Sequence, residues 1–250
     1  MVIILKYFDT HAHYDWKEFD NDRKQLFKKL EDTIIVNIGV NNKSNIETIK
    51  YTNEYKNIYG CLGLHPMNVN YKEDLGNIKE IINNKIVAIG ETGIDYKFPN
   101  VELQKEYFIK HIDLANELNL PIVIHCRKAH DLVYNILLNN PVNKKGIMHC
   151  YSGNLEYAKK FLELGYFFGF DGPITKSDKY DEIIKFLPLD HIVVETDAPL
   201  MPPFPLDTND RCDSSSLIYI IEKIARIKNI DINIVTKQIF FNSKKIYNIS

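Results

Sequence analysis

The chain of 250 residues carries 31 Lys and Arg against 33 Asp and Glu, a formal charge of −2, which excludes the overall basic footprint of proteins that hold nucleic acid non-specifically. At 45% hydrophobic and 26% charged residues it has material for a large core, and no apolar run approaches the roughly 18 residues of a membrane span. The length suits one (β/α)8 domain over residues 1–250, and Met1–Lys6 is too short for a secretion signal. A cytoplasmic monomer without membrane association is therefore expected. Cys61, Cys126, Cys150 and Cys212 form no Cys-x-x-Cys pair and read as thiols in a reducing compartment.

Along the chain, short apolar, β-branched runs alternate with longer segments of helical period, the pattern of parallel strands joined by crossover helices. Strands are predicted at Ile3–Phe8, Ile34–Ile38, Ile58–Leu62, Ile86–Ile89, Ile122–Ile124, Gly146–Met148, Tyr166–Gly169 and Ile192–Val194. Between them, Leu103, Tyr107, Phe108, Ile112, Ala115 and Leu118 recur at three- and four-residue spacing and predict a helix over Leu103–Leu118. After an irregular stretch, Ala198–Asp213, helices are predicted at Ser214–Lys228 and Asp231–Tyr247. Eight strands with intervening helices make a TIM-like α/β barrel with an additional C-terminal helix, and the irregular stretch is a loop at its active face.

Polar residues punctuate the carboxyl ends of these strands: His11 and His13 after the first, His65 after the third, Glu91 after the fourth, His125 after the fifth, His149 after the sixth and Asp197 after the eighth. In a barrel those ends share one face. His11 and His13, two apart on an extended segment, point to the same side and can chelate. A lone His at a strand end is ordinarily a satisfied structural residue, but imidazoles and carboxylates buried together are costly unless something binds them. The expected centre holds His11, His13, Glu91 and Asp197 around one divalent ion and Glu91, His125 and His149 around a second. Imidazole with carboxylate suits Zn, Mn, Fe or Co, whereas Mg prefers a nearly all-oxygen shell; the cofactor is expected to be two ions drawn from Zn, Mn, Mg or Co. Ions about 3.5 to 4 Å apart suit in-line phosphoryl displacement, with Glu91 bridging and Asp197 as ligand and general base.

The segments Asp9-Thr10-His11-Ala12-His13, Gly63-Leu64-His65-Pro66, Gly90-Glu91-Thr92-Gly93-Ile94-Asp95-Tyr96, His125-Cys126-Arg127, His149-Cys150-Tyr151-Ser152-Gly153 and Glu195-Thr196-Asp197-Ala198-Pro199 resemble, in order, the motif set of the TatD-related DNase family. The resemblance spans nearly the whole chain. It implies a metal-dependent hydrolase of the amidohydrolase superfamily with a dinuclear site and deoxyribonuclease activity, commonly exonucleolytic, on DNA ends or single strands. The family's ligand positions match His11, His13, Glu91, His125, His149 and Asp197.

His65 and Arg127 are expected to donate to phosphate oxygens, although an ion pair with a loop carboxylate is the structural alternative for Arg127. Tyr151, Ser152 and Gly153 are expected at the substrate, the last two through backbone N–H groups ahead of a helix. Asp95 and Tyr96 are expected to support a ligand imidazole. Cys126 and Cys150 each follow a ligand His and should face the helices. After Pro199 the chain departs from the family pattern: Leu200-Met201-Pro202-Pro203-Phe204 replaces its Tyr-Leu continuation, and Arg211 is the only stand-in for its basic segment. Two other readings compete: an ester or amide hydrolase, such as one removing a D-amino acid from tRNA, and a scaffold protein that keeps metal for stability.

Overall fold

The computed structural model describes residues 6–69 and 75–249. Eight parallel strands follow one another in chain order round a nearly closed barrel: β1 Tyr7–Ala12, β2 Thr33–Ile38, β3 Ile58–Leu62, β4 Ile86–Asp95, β5 Ile122–Arg127, β6 Ile147–Met148, β7 Phe167–Phe170 and β8 Ile192–Val194. Among the described residues the α-helices are α1 Arg23–Lys29, α2 Asn42–Glu54, α3 Gly76–Ile81, α4 Val101–Leu118, α5 His130–Asn139, α6 Leu155–Glu163, α7 Asp181–Phe186, α8 Leu217–Lys228 and α9 Ile232–Tyr247. Every predicted strand has a counterpart. Ile3 to Leu5, assigned to the first, lie outside the described residues, and that strand instead continues through His11 to Ala12. None of the helices is long and apolar enough to cross a membrane.

Strands covered on both faces are nearly continuous apolar runs; β2 is buried at every position, and its buried Asn37 is satisfied by the Thr48 hydroxyl and the backbone of Tyr14. Phe8, Val36, Cys61, Val87, Val123, Ile147, Phe167 and Val193, one from each strand, form a single cluster with Tyr247 of α9. That helix closes the amino end of the barrel: Tyr247 stacks on Phe8 with ring centroids 5.9 Å apart and donates its hydroxyl to the carbonyl of Thr10 at 2.8 Å. A larger cluster lies between the strands and the helices and includes Phe108, Ile112 and Ala115 from the predicted stripe of α4.

Two features aim side chains at the carboxyl mouth. β4 and β5 run past their predicted ends, so that Gly93 pairs with His125 and Asp95 with Arg127. Glycine is required on both sides of Glu91: Gly90 and Gly93 have φ of 135° and 142°, and a Cβ at Gly93 would lie 2.0 Å from the carbonyl oxygen of His125. At the seam between β8 and β1 the ladder is replaced by two bonds beside the site, from Asp197 N–H to His11 O at 2.9 Å and from His13 N–H to Ala198 O at 2.7 Å.

Candidate metal centre

Glu91, 2% exposed, stands at the middle of the mouth with its two oxygens facing different imidazoles. Oε2 lies 3.4 Å from His11 Nε2 and 3.8 Å from His13 Nε2. Oε1 lies 2.8 Å from His125 Nδ1, 3.5 Å from His65 Nε2 and 3.7 Å from His149 Nε2. Asp197 adds Oδ1 at 3.2 Å from His13 Nε2 and 3.7 Å from His11 Nε2. Its φ of 50° is a left-handed conformation that Asp tolerates better than most residues, and here it turns the chain out of β8 toward the cluster.

The partners of each ring determine what it presents inward. His13 donates Nδ1–H to the carbonyl of Ile38 at 3.0 Å, which in the neutral ring leaves the Nε2 lone pair facing the cluster. His149 has Nδ1 at an ion-pair distance of 2.9 Å from Oε1 of Glu195; the carboxylate favours a proton on Nδ1, so that in the neutral ring Nε2 faces inward with its lone pair. His125 lies between two carboxylates, Nδ1 2.8 Å from Glu91 Oε1 and Nε2 3.1 Å from Asp95 Oδ2, and a cation beside Glu91 would take the place of a proton on Nδ1 while Asp95 keeps the one on Nε2. His65 is the reverse: its Nδ1 accepts the N–H of Met67 at 3.0 Å, so the neutral ring carries its proton on Nε2 and is a donor.

The electrostatics follow from burial and from these neighbours. Burial disfavours the charged form of Glu91, yet the imidazoles of His65, His149 and His11 hold it well below the usual carboxylate range. Burial would depress His149, but Glu195 and Glu91 push it up to about 10, and Asp197 and Glu91 likewise raise His13 to about 8. Burial drives His65 down to about 3. Nε2 of His11 and Nε2 of His13 lie only 3.2 Å apart, and Nδ1 of His11 is buried with no hydrogen-bond partner among the described residues. Two imidazole nitrogens facing each other beside two carboxylates need a proton or a cation between them, and the donor set fits a divalent cation. Three overlapping groups of converging ligand atoms result: His11, His13 and Asp197; His11, Glu91 and His149; His65, Glu91 and His125.

The remaining predicted residues divide. Arg127 is exposed at the rim, lines the cavity above Glu91 and makes no ion pair among the described residues. Cys126 is packed in the core and Cys150 binds Glu195 through its backbone N–H; neither thiol joins a ligand group. Three expectations are corrected. Tyr151 is 4% exposed, packs edge-on to Phe168 and donates its hydroxyl to the carbonyl of Asn154, so it belongs to the core beneath the loop. Ser152 and Gly153 do not line the cavity, and the start of α6 is already capped by the Asn154 side chain, which accepts the N–H of Tyr157 at 3.0 Å. Tyr96 is 46% exposed and makes no ring contact with an imidazole among the described residues; its backbone N–H binds the carbonyl of Arg127.

Among the buried carboxylates that sequence reasoning left without a role are Glu195 and Asp9. Glu195 lies two residues before Asp197 within one motif, a position that could have suggested its part in holding His149. Asp9 accepts from Ser214 Oγ at 2.6 Å, Thr196 Oγ1 at 2.7 Å and Thr196 N–H at 3.1 Å, and so ties β1 to the loop that delivers Asp197. The cavity, about 240 Å³, is walled in part by Trp16, Met67, Phe98, Leu200 and Met201. These come from separate loops and share no motif.

A parallel eight-stranded barrel with an imidazole and carboxylate cluster at its carboxyl mouth is the architecture of a metal-dependent hydrolase of TIM-barrel type. The family model described as TatD related DNase matches residues 8–248, and the chain belongs to that family. It is 34% identical to the uncharacterized metal-dependent hydrolase YabD of Bacillus subtilis, over 97% of this chain and 99% of that protein. It is 32% identical to the uncharacterized metal-dependent hydrolase MJ1582 of Methanocaldococcus jannaschii, over 97% of each. Among solved structures, YjjV, a TatD homolog from Escherichia coli, superposes with a TM-score of 0.91 at 25% identity, covering 99% of this chain and 100% of that one.

Proposed function

We propose that the protein is a deoxyribonuclease that hydrolyses phosphodiester bonds at DNA ends or in single strands with two divalent ions. The observation that carries this reading is Glu91, whose Oε2 is nearest to His11 and His13 and whose Oε1 is nearest to His125, His65 and His149, all 2.8 to 3.8 Å away, so that one carboxylate serves imidazoles on each of its oxygens. His11, His13 and Asp197 would hold one ion with Glu91, and His125 and His149 would hold the other with the same carboxylate. Zn, Mn, Co or Mg bound there supplies Lewis-acid polarisation of a phosphoryl oxygen and acidification of water.

The chain's own groups do the rest. Asp197, held below the usual carboxylate range against its burial by His13 and His149, accepts the proton of the attacking water. His65, neutral with its proton on Nε2, donates to a non-bridging phosphate oxygen. Arg127 offers a planar fork to the same group from the rim. Asp95 and Glu195 keep the rings of His125 and His149 in the tautomers that face inward.

The test is hydrolysis of a labelled single-stranded DNA oligonucleotide by protein stripped of metal and resupplied with Mg, Mn, Zn or Co, beside Glu91→Gln. Stepwise, metal-dependent shortening that disappears in the variant is the expected result. A folded protein that binds metal, leaves DNA intact and instead cleaves an aminoacyl ester would transfer the same site to the ester reading.

A further inference from the structure

The wall of the cavity carries more apolar surface than a phosphate requires. Trp16 lies against His13 with ring centroids 4.9 Å apart and 23° between planes; Phe98 stands edge-on to His65 at 6.2 Å. His13 faces Oε2 of Glu91 and His65 faces Oε1. The two aromatic rings therefore lie against different histidines of the cluster, and both line the same cavity. Above them Leu200 and Met201 are 43% and 38% exposed, on the loop that departs from the family pattern. Exposed apolar residues gathered at the rim of a polar cleft mark a contact surface. Lys97 and Arg127 stand at the same rim, exposed and free of ion pairs among the described residues, with Lys97 Nζ 5.6 Å from the centre of the Phe98 ring.

We infer that Trp16 and Phe98 are two base-stacking platforms that receive the nucleosides on either side of the scissile phosphate, one toward each ring, while Lys97 and Arg127 take the backbone charge. The inference rests on the nuclease reading and deepens it. Stacking of this kind is tolerant of sequence, because every base has a π-face. A chain of net charge −2 would draw selectivity for unpaired ends from these rings, because a base must be unstacked to lie on one.

Trp16 is the only tryptophan in the chain, which gives a readout independent of turnover. In Mg-containing buffer, a deoxynucleoside 5′-monophosphate should quench the intrinsic fluorescence of the full chain saturably, and 2-deoxyribose 5-phosphate at the same concentrations should not. In hydrolysis, an abasic residue placed on either side of the scissile phosphate should lower kcat/KM about tenfold, the order supplied by stacking one base. Phe98→Leu should remove that penalty on one side only and Trp16→Leu on the other, with Trp16→Phe restoring it. Equal fluorescence responses to the nucleotide and the sugar phosphate, or cleavage indifferent to base removal on both sides, would overturn the platforms and leave the nuclease reading standing. Base-dependent quenching by a protein that cleaves no oligonucleotide would overturn the nuclease reading and leave a nucleotide site on Trp16.

Discussion

Glu195, buried to 1% exposure, places Oε1 2.9 Å from Nδ1 of His149 while the same oxygen accepts the N–H of Cys150 at 2.5 Å. The other carboxylate oxygen accepts the hydroxyl of Thr10 at 3.3 Å. One side chain thus fixes a ring, the backbone after β6 and the end of β1. Cys150 itself has φ of 43°, a conformation costly for a residue with a Cβ, and such backbone is held only where its surroundings over-determine it.

Glu195→Gln keeps the shape and removes the charge opposite His149. The ring loses the partner that keeps its proton on Nδ1, and metal affinity should fall about 10- to 100-fold, measured by competition with a chromophoric chelator. Glu195→Ala should in addition lower stability by about 1 to 3 kcal/mol, because the Cys150 N–H is left buried without an acceptor.

Asp9 makes a separate prediction. It touches no ligand atom, yet it receives Ser214 Oγ, Thr196 Oγ1 and Thr196 N–H. Asp9→Ala should cost about 2 to 4 kcal/mol in chemical unfolding, since several buried donors lose one acceptor. The loop bearing Asp197 should loosen with it, seen as faster amide exchange at Thr196 and Ala198.

His111 makes stability depend on pH. In α4 its Nδ1–H donates to Tyr107 O at 2.6 Å and its Nε2 accepts the N–H of Leu64 at 2.9 Å, so only the neutral ring fits, and burial pushes it from 6.5 down to about 4. Between those values the unfolded chain takes up a proton that the folded chain refuses. The contribution is therefore complete above pH 6.5 and is lost as pH falls toward 4, by at most about 3 kcal/mol. His111→Gln, which keeps a donor and an acceptor but does not titrate, should narrow the gap in urea midpoint between pH 7 and 4; an unchanged gap would assign the acid loss elsewhere.

Much of the fold, and with it the gathering of these side chains at one mouth, was legible in the sequence because a parallel strand buried on both faces reads as a nearly continuous apolar run, and its carboxyl end is marked where the run breaks at a His, Glu or Asp. β2 and β8 coincide with their predicted spans to within a residue for that reason. What failed was inference by adjacency. Tyr151, Ser152 and Gly153 follow His149 in one motif, but the chain turns at Cys150, and the ring of Tyr151 goes into the core. Tyr96 follows Asp95 on an extended segment and so points the other way. Trp16, Phe98 and Leu200 meet only through the closure of the barrel, which no local pattern encodes.

Arg211 resolves the one basic residue of the divergent loop. It binds Asp22 through both carboxylate oxygens at 2.8 and 2.5 Å, takes the carbonyl of Glu18 at 2.6 Å and lies over the Phe19 ring at 4.7 Å. It straps the loop after β8 to the segment that follows Trp16 and does not line the cavity above Glu91. Arg211→Ala should cost about 1 kcal/mol or less, as exposed ion pairs do, yet it should open the loop between Leu200 and Asp213 to limited proteolysis.

Whether Glu91 joins two ions is decided by the metal stoichiometry of the folded protein. Elemental analysis of protein loaded with Zn or Mn and freed of excess ion should give two ions per chain, and Glu91→Gln should retain at most one while staying folded. One ion or none in the unmodified chain, or an unchanged content in the variant, would contradict the shared carboxylate and with it the dinuclear centre.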